Sequence, residues 1–261
     1  MTRMAAANDI YHSPRLATGY AFHRPPVHPR IIAKLGERLH LTKRLPRALD
    51  IGCGAGLSTA ALAPIAELIV GIEPIANMLA HRAAVSTQAH FVIAQAEQLP
   101  FAACSFDLLT AAGSLNYADL EHFLPEAARV LTSSGVLAIY DFSEARRLRE
   151  DQRLEAWYEK FVERFPAPPG YAMDVRTLAY HGYGLQLQAY EEFEVAVPMT
   201  QRSYVQYALS EARVELALMH GAAETDIRAW CHSTLTGIFD ERPRDVLFDA
   251  YLASITREDH P

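Results

Sequence analysis

Between residues 47 and 142 short apolar runs alternate with longer stretches of helical period. Residues 47–51 form an apolar run that ends at glycines. Residues 57–66 read as a helix, and 67–73 as a second buried strand stopped by Pro74. Residues 75–87 read as a helix, 90–94 as a third strand and 106–112 as a fourth. A helix is expected over 119–131 with Asp119 as its cap, because a short carboxylate there accepts the first free backbone N–H groups. Residues 135–142 make a fifth strand. Strands apolar on both faces and separated by helices imply a parallel sheet covered on each side. The pattern predicts an α/β, doubly wound core.

The flanks differ. Residues 11–41 are rich in aromatic, histidine and proline residues, with Arg24-Pro-Pro26 and His28-Pro29 as breakers and a helix expected over 31–39. The turns before that helix read either as a lid or as a tethered arm. Residues 144–165 are highly charged, yet Leu154, Trp157, Tyr158, Phe161, Val162 and Phe165 recur at helical spacing. The proline cluster at 166–170 ends that helix. A short capped helix is expected over 174–180, closed by Gly182. Residues 193–197 alternate as a half-exposed strand does. An apolar helical stripe runs through 201–220 to a stop at Gly221, and a further helix covers 224–239. Residues 246–255 fit helix or strand equally. The resulting division is a helical arm (1–46), a core (47–142) and a remainder (143–261).

Composition narrows the function classes. Of 261 residues, 50% are hydrophobic and 21% charged, which excludes global disorder. Lys and Arg number 24 against 31 Asp and Glu, a formal charge of −7. That balance argues against a nucleic-acid or anionic-membrane partner, since both require clustered cations, and favours a small-molecule or protein partner. Cys53, Cys104 and Cys231 show neither a disulfide framework nor metal-ligand spacing, and no metal is expected. Residues 1–12 lack a signal-peptide core, and the run 60–72 is interrupted by Pro64 and Glu67. A cytoplasmic protein, monomeric or homodimeric, is the expectation.

The chemistry concentrates in Ala48-Leu-Asp-Ile-Gly-Cys-Gly-Ala-Gly-Leu-Ser58. Gly52, Gly54 and Gly56 follow the first strand and open the first helix, where glycine permits tight turns and close approach of a ligand. The dinucleotide fingerprint G-x-G-x-x-G would need glycine at 57, which is Leu57, and no G-K-[ST] follows. Asp50 precedes the first glycine by two residues. Glu73, at the end of the second strand, can accept both hydroxyls of a ribose, or reads as a helix-capping or surface acid at a strand end. Cys53 is expected to be a small residue of the turn rather than a nucleophile.

These residues resemble the class I S-adenosylmethionine-dependent methyltransferases, in particular the small bacterial methyltransferase domains. Leu49-Asp-Ile-Gly-Cys-Gly-Ala-Gly56 is similar to the first motif of that family, and Val70-Gly-Ile-Glu-Pro-Ile-Ala-Asn-Met78 to the second. Ala96-Glu-Gln-Leu-Pro-Phe101 followed by Ser105-Phe-Asp-Leu108 is similar to the next, and residues 126–137 to the helix, turn and strand beyond. The resemblance implies S-adenosylmethionine as cofactor and S-adenosylhomocysteine as product. It places Glu73 on the ribose, Met78 against adenine, and Gln95, Ala96 and Glu97 on the adenine edge. Tyr11, Arg24, Asp50, Gly52, Gly54, Gly56, Pro74, Ala112 and Gly113 complete the expected cofactor set. It also implies a seven-stranded, mostly parallel Rossmann-like sheet with an antiparallel last strand, 193–197 being the sixth and 246–255 the seventh. The helical material at 143–188 and 201–239 then flanks strand six, as a substrate cap or as padding or a dimer surface.

Where many relatives carry a His-Trp pair, this chain has Ser114-Leu-Asn-Tyr117. Catalytic candidates are therefore Tyr117, Asn116 and His181, and candidates for the acceptor pocket are Tyr20, Asn116, Tyr117 and His181. His181 also reads as a helix-end residue facing the dipole. Arg24 is expected on a carboxylate of donor or acceptor, or at the surface. The expected reaction is in-line methyl transfer to an oxygen or nitrogen of a small molecule. Alternatives are methylation of RNA or protein, a non-catalytic donor-binding module, and a nicotinamide-dependent oxidoreductase, which Leu57 disfavours.

Overall fold

In the computed structural model, which describes residues 10–167, 173–240 and 242–258, each apolar run of the first half is a strand. They are β1 (Leu45–Ile51), β2 (Ala66–Ile72), β3 (Ala89–Val92), β4 (Phe106–Ala112) and β5 (Leu131–Phe142). All pair in parallel, in the order β3-β2-β1-β4-β5. The order reverses between β1 and β4, so the connections leaving these two strands part and open a crevice at their carboxyl ends.

Two long strands complete the sheet, β7 (Leu185–Met199) and β8 (Arg244–Arg257). The later strand lies inside: β8 runs antiparallel between β5 and β7. A two-residue strand, β6 (Arg147–Leu148), pairs with Leu247 and Val246 of β8 and prolongs the line of β5. The ambiguous segment 246–255 is therefore strand, as the resemblance implies.

The helices are α1 (Pro14–Phe22), α2 (His28–Arg38), α3 (Leu57–Ala61), α4 (Arg82–Val85) and α5 (Leu120–Val130), then α6 (Arg153–Arg164), α7 (Gln201–Leu209), α8 (Ala212–Met219) and α9 (Glu224–Leu235). Because side chains alternate along a strand, successive residues feed two cores. Ala48, Ile69, Leu108 and Ala138 pack with α2, α3, α6, α7 and α9 on one face. Leu49, Val70, Leu109 and Leu137 pack with Phe123, Leu124, Ala127 and Val130 of α5 on the other. The Asp119 carboxylate caps α5 by accepting from the Glu121 N–H at 3.0 Å. Among the described residues no helix is long and apolar enough to cross a membrane.

Several elements depart from the periodicity. The helix expected over 57–66 stops at Ala61, and 75–87 is a 3-10 turn (Ala76–His81) followed by α4. The helix expected from 144 starts only at Arg153, because Arg147 and Leu148 are taken by β8. Three residues of the 166–170 breaker lie outside the described residues. The helix over 201–220 is broken at Ser210 and Glu211, where α1 crosses: a Cβ on Gly19 would lie 2.8 Å from the Ser210 Cβ. The strand expected over 193–197 extends to fifteen residues.

Candidate active site

The crevice holds a cavity of about 620 Å³. Its floor is the loop after β1, its walls are the ends of β2, β4 and β5, and its roof is α1 with Tyr207 of α7. Gly52 has φ of +63°, and a Cβ there would lie 2.6 Å from the Ser114 Cβ. Glycine is required on both counts. The Ser114 hydroxyl donates to the Ile51 carbonyl at 2.6 Å, tying the loops after β1 and β4 side by side.

Beneath this floor Asp50 is fully buried. Ser58 and Thr59 donate to its Oδ2 at 2.6 and 2.7 Å, and Thr110 to its Oδ1 at 2.7 Å. Burial pushes its carboxyl above the ordinary carboxylate range, against the effect of the three hydroxyls. Asp50 therefore fastens the loop to α3 and β4 from below and does not line the cavity, contrary to its expected place on the cofactor. Gly56, which opens α3, and Asn116 also lie outside the lining.

Glu73, buried at the end of β2, accepts from the Gly54 N–H through Oε2 at 2.9 Å and from the Ile75 N–H through Oε1 at 3.0 Å. Each oxygen keeps a lone pair for a further donor. Burial raises this carboxyl as well, partly offset by the two backbone bonds. Pro74 and Met78 line the cavity beside it, with Gln95, Ala96 and Glu97 on the next connection. One oxygen of Glu97 is committed elsewhere, accepting from the Asp119 N–H at 2.7 Å. Ala112 and Gly113 bring the end of β4 to the same space. Cys53 lines it too, but burial holds its thiol well above the ordinary range, so it is protonated.

At the roof the phenols of Tyr11 and Tyr117 share a hydrogen bond of 2.9 Å, and the Tyr11 ring meets the Tyr20 and Tyr117 rings edge-on. Burial raises the pKa of both Tyr11 and Tyr117, so they are neutral hydrogen-bonding groups at physiological pH. The Arg24 guanidinium sits 4.1 Å over the Tyr20 ring and 5.4 Å from that of Tyr207. Its Nη2 donates to the Ser210 carbonyl at 3.1 Å, while its buried Nε has no partner among the described residues. His28 contacts the Tyr140 hydroxyl through Nδ1 at 3.0 Å, and burial, with the charge of Arg24, lowers its imidazole to about 4.

His181 is placed elsewhere. Its exposed imidazole pairs with Glu258 in the turn that precedes β7, away from the cavity. The expectation that it touches an acceptor is corrected: the pairing of β7 with β8 carries that turn to the far edge of the sheet. Conversely His28, Asp141 and Tyr207 line the cavity without having been singled out. Asp141 carries the same signal as Glu73, an acid at the carboxyl end of a buried strand; His28 and Tyr207 reach the site only through tertiary packing. Among the described residues no group of three His, Cys, Asp or Glu is arranged to hold a metal.

Residues 49–139 match the methyltransferase domain family. The chain is 35% identical over 137 residues to the ubiquinone/menaquinone biosynthesis C-methyltransferase UbiE of Rhizobium meliloti, covering 52% of this chain and 45% of that protein. It is 36% identical over 122 residues to the 27-O-demethylrifamycin SV methyltransferase of Amycolatopsis mediterranei, covering 40% and 45%. The match thus spans under half the length of these curated relatives. Among solved structures, a candidate type II methyltransferase from Anaeromyxobacter dehalogenans superposes with a TM-score of 0.69 at 21% identity, over 91% of this chain and 99% of that one. A phosphoethanolamine N-methyltransferase of Haemonchus contortus bound to S-adenosyl-L-methionine gives a TM-score of 0.52 at 17% identity, over 97% and 57%. These two share the fold. Residues 49–139, whose motif residues gather at the switch point of the sheet, thus match a methyltransferase domain.

Proposed function

We propose that the chain transfers the methyl group of S-adenosylmethionine to an oxygen or nitrogen of a small molecule and releases S-adenosylhomocysteine. The observation that carries this reading is the division of one roofed cavity into two chemically distinct ends. One end offers Glu73 with lone pairs to spare, the apolar Met78 and the 95–97 connection, a set that fits a nucleoside. The other offers Arg24 with an unsatisfied Nε, the phenols of Tyr20 and Tyr117, and Asp141.

The bound donor supplies a methyl on a sulfonium sulfur, so positioning and exclusion of water are what the protein must add. Glu73 accepts the ribose hydroxyls, Met78 and Pro74 pack on the base, and Gln95, Ala96 and Glu97 meet its edge. Gly52 and Gly54 let the backbone approach. Arg24 donates through Nε to a carboxylate of donor or acceptor. The Tyr11 ring favours a cation by attraction to its π electrons, while that of Tyr20 already carries Arg24. Holding reactants in line contributes on the order of 7–11 kcal/mol to such a reaction. The Tyr11–Tyr117 bond narrows the mouth of the cavity, which supports a small acceptor over a polymer.

Calorimetry with S-adenosylmethionine, S-adenosylhomocysteine and NAD tests the donor. The first two are expected to bind and NAD is not; binding of NAD alone overturns the reading. Methyl-labelled donor incubated with a low-molecular-weight cell extract tests the acceptor, where label on a new carbon–carbon bond would overturn transfer to oxygen or nitrogen.

A further inference from the structure

Asp141 ends β5 one residue before its last, beside Gly113 at the end of β4. Its Oδ1 accepts from the Phe142 N–H at 2.8 Å, which orients the carboxylate, and no group among the described residues donates to Oδ2. Gly113 has φ of +62°, and a Cβ there would lie 2.8 Å from Oδ1, so the space the carboxylate occupies exists because residue 113 has no side chain. The titratable groups around it come from several elements: Tyr117 after β4, Tyr140 and Glu144 along its own strand and beyond, Tyr251 paired with it on β8, and His28 packed on Tyr140 and Phe142. None of these is a cation at neutral pH, and among the described residues no ion pair includes Asp141. Arg24, which lines the same cavity, lies over Tyr20, donates to the Ser210 carbonyl and keeps an unpartnered Nε, but makes no ion pair or hydrogen bond with Asp141. A desolvated carboxylate with an open oxygen and no cation of its own is suited to a ligand that brings the positive charge.

We propose that Asp141 is the acid–base residue of the transfer: it faces the sulfonium methyl of the donor and receives the proton of the attacking O–H or N–H of the acceptor. This rests on the methyl-donor reading above. In the step, the acceptor lone pair forms the new bond to the methyl carbon while the carbon–sulfur bond breaks with its electron pair on sulfur. The acceptor proton passes to Asp141 Oδ2. Sulfonium and carboxylate are both neutralised, so a site that destabilises buried charge favours the products. The other candidates suit this task less well. His28 has Nδ1 engaged and is a weaker base, lowered to about 4, whereas burial raises Asp141 to about 6. The phenols of Tyr11 and Tyr117 are raised, and His181 is outside the cavity.

The test uses the full chain and needs no acceptor. S-adenosylmethionine and S-adenosylhomocysteine differ in the sulfonium charge, so calorimetry with both from pH 5 to 7.5 isolates its partner. The preference for S-adenosylmethionine is expected to fall about tenfold from pH 7.5 to pH 5, since an opposite charge in contact lowers a carboxylate by about 1–3 units. Asp141→Asn is expected to show the low preference at every pH with S-adenosylhomocysteine affinity retained, and Asp141→Glu to keep the pH dependence. Parallel pH profiles for the two ligands in the wild type, or a pH-dependent preference surviving in Asp141→Asn, overturn the proposal alone. Failure of both ligands to bind at pH 7.5 overturns the methyl-donor reading itself. Should Asp141→Asn not fold, the wild-type profile still decides.

Discussion

Glu73 and Asp141 are both buried acids at strand ends, yet the backbone treats them differently. Glu73 takes two N–H groups and Asp141 one. Replacing Glu73 by Ala is expected to weaken S-adenosylmethionine binding by about 1–3 kcal/mol, read by calorimetry, as hydrogen bonds to a charged group are lost. Unchanged affinity would move the ribose elsewhere. For Asp141 the folded-state pKa, raised to about 6, lies above its ordinary value, so the stability this group confers is full below about 4 and is lost as pH rises through 6. Asp141→Asn is thus expected to stabilise the apoprotein by about 3 kcal/mol at pH 7.5 and to change little near pH 4, measured by urea unfolding. A destabilised variant at pH 7.5 would contradict this. Glu73 was legible because Pro74 marks where its strand stops. Asp141 offered the same cue, but Asp50 drew attention instead, and nothing in a linear pattern reveals that three hydroxyls enclose Asp50 below the loop.

At the scale of elements, α1 is clasped on two sides. Thr18 meets His81 at 2.9 Å and Asn77 donates to the His12 carbonyl at 2.5 Å on the β2 side. On the side of α7 and α8 Arg15 donates to Glu215 at 2.6 Å and to the Leu209 carbonyl at 3.1 Å. Arg15→Ala removes the partner of a largely buried Glu215 and is expected to raise amide hydrogen exchange over 14–22 roughly tenfold, a local opening cost of about 1 kcal/mol for a partly exposed pair. Unaltered protection would show that the arm is held from the β2 side. The same crossing explains why periodicity over 201–220 read as one helix: the break at Ser210 is imposed by Gly19 and Arg24, residues nearly two hundred positions away in the chain. The reach of β7 was hidden for a related reason. Its Gln and Glu residues look like loop, but Glu191 on that strand is held by Lys34 at 2.7 Å and by Arg38.

For the whole molecule, the division into an arm (1–46), donor core (47–142) and acceptor cap (143–261) is our proposal for how function is distributed. It does not follow that each part folds alone. Separated from the rest, 47–142 retains every motif that was readable in the sequence but leaves β5 without its neighbour β8. That fragment is expected to show no cooperative thermal unfolding and no S-adenosylhomocysteine binding; a sharp transition with binding would show the core to be autonomous. The doubly wound core was legible because buried parallel strands write themselves as local apolar runs, whereas the cap was not, because its helices are ordered by aromatic stacking such as Trp157 on Phe161 and Trp230.

The seat of β8 between β5 and β7 also sets a timetable. As the chain leaves the ribosome, all of the motifs and the helices of the cap are made before residues 244–257 exist. Until those residues arrive, β7 lacks its partner and Tyr251 has not yet been set opposite Asp141. The nascent protein therefore passes through a stage with an open sheet edge beside an unfinished chamber, and β8 is the strand that shuts it.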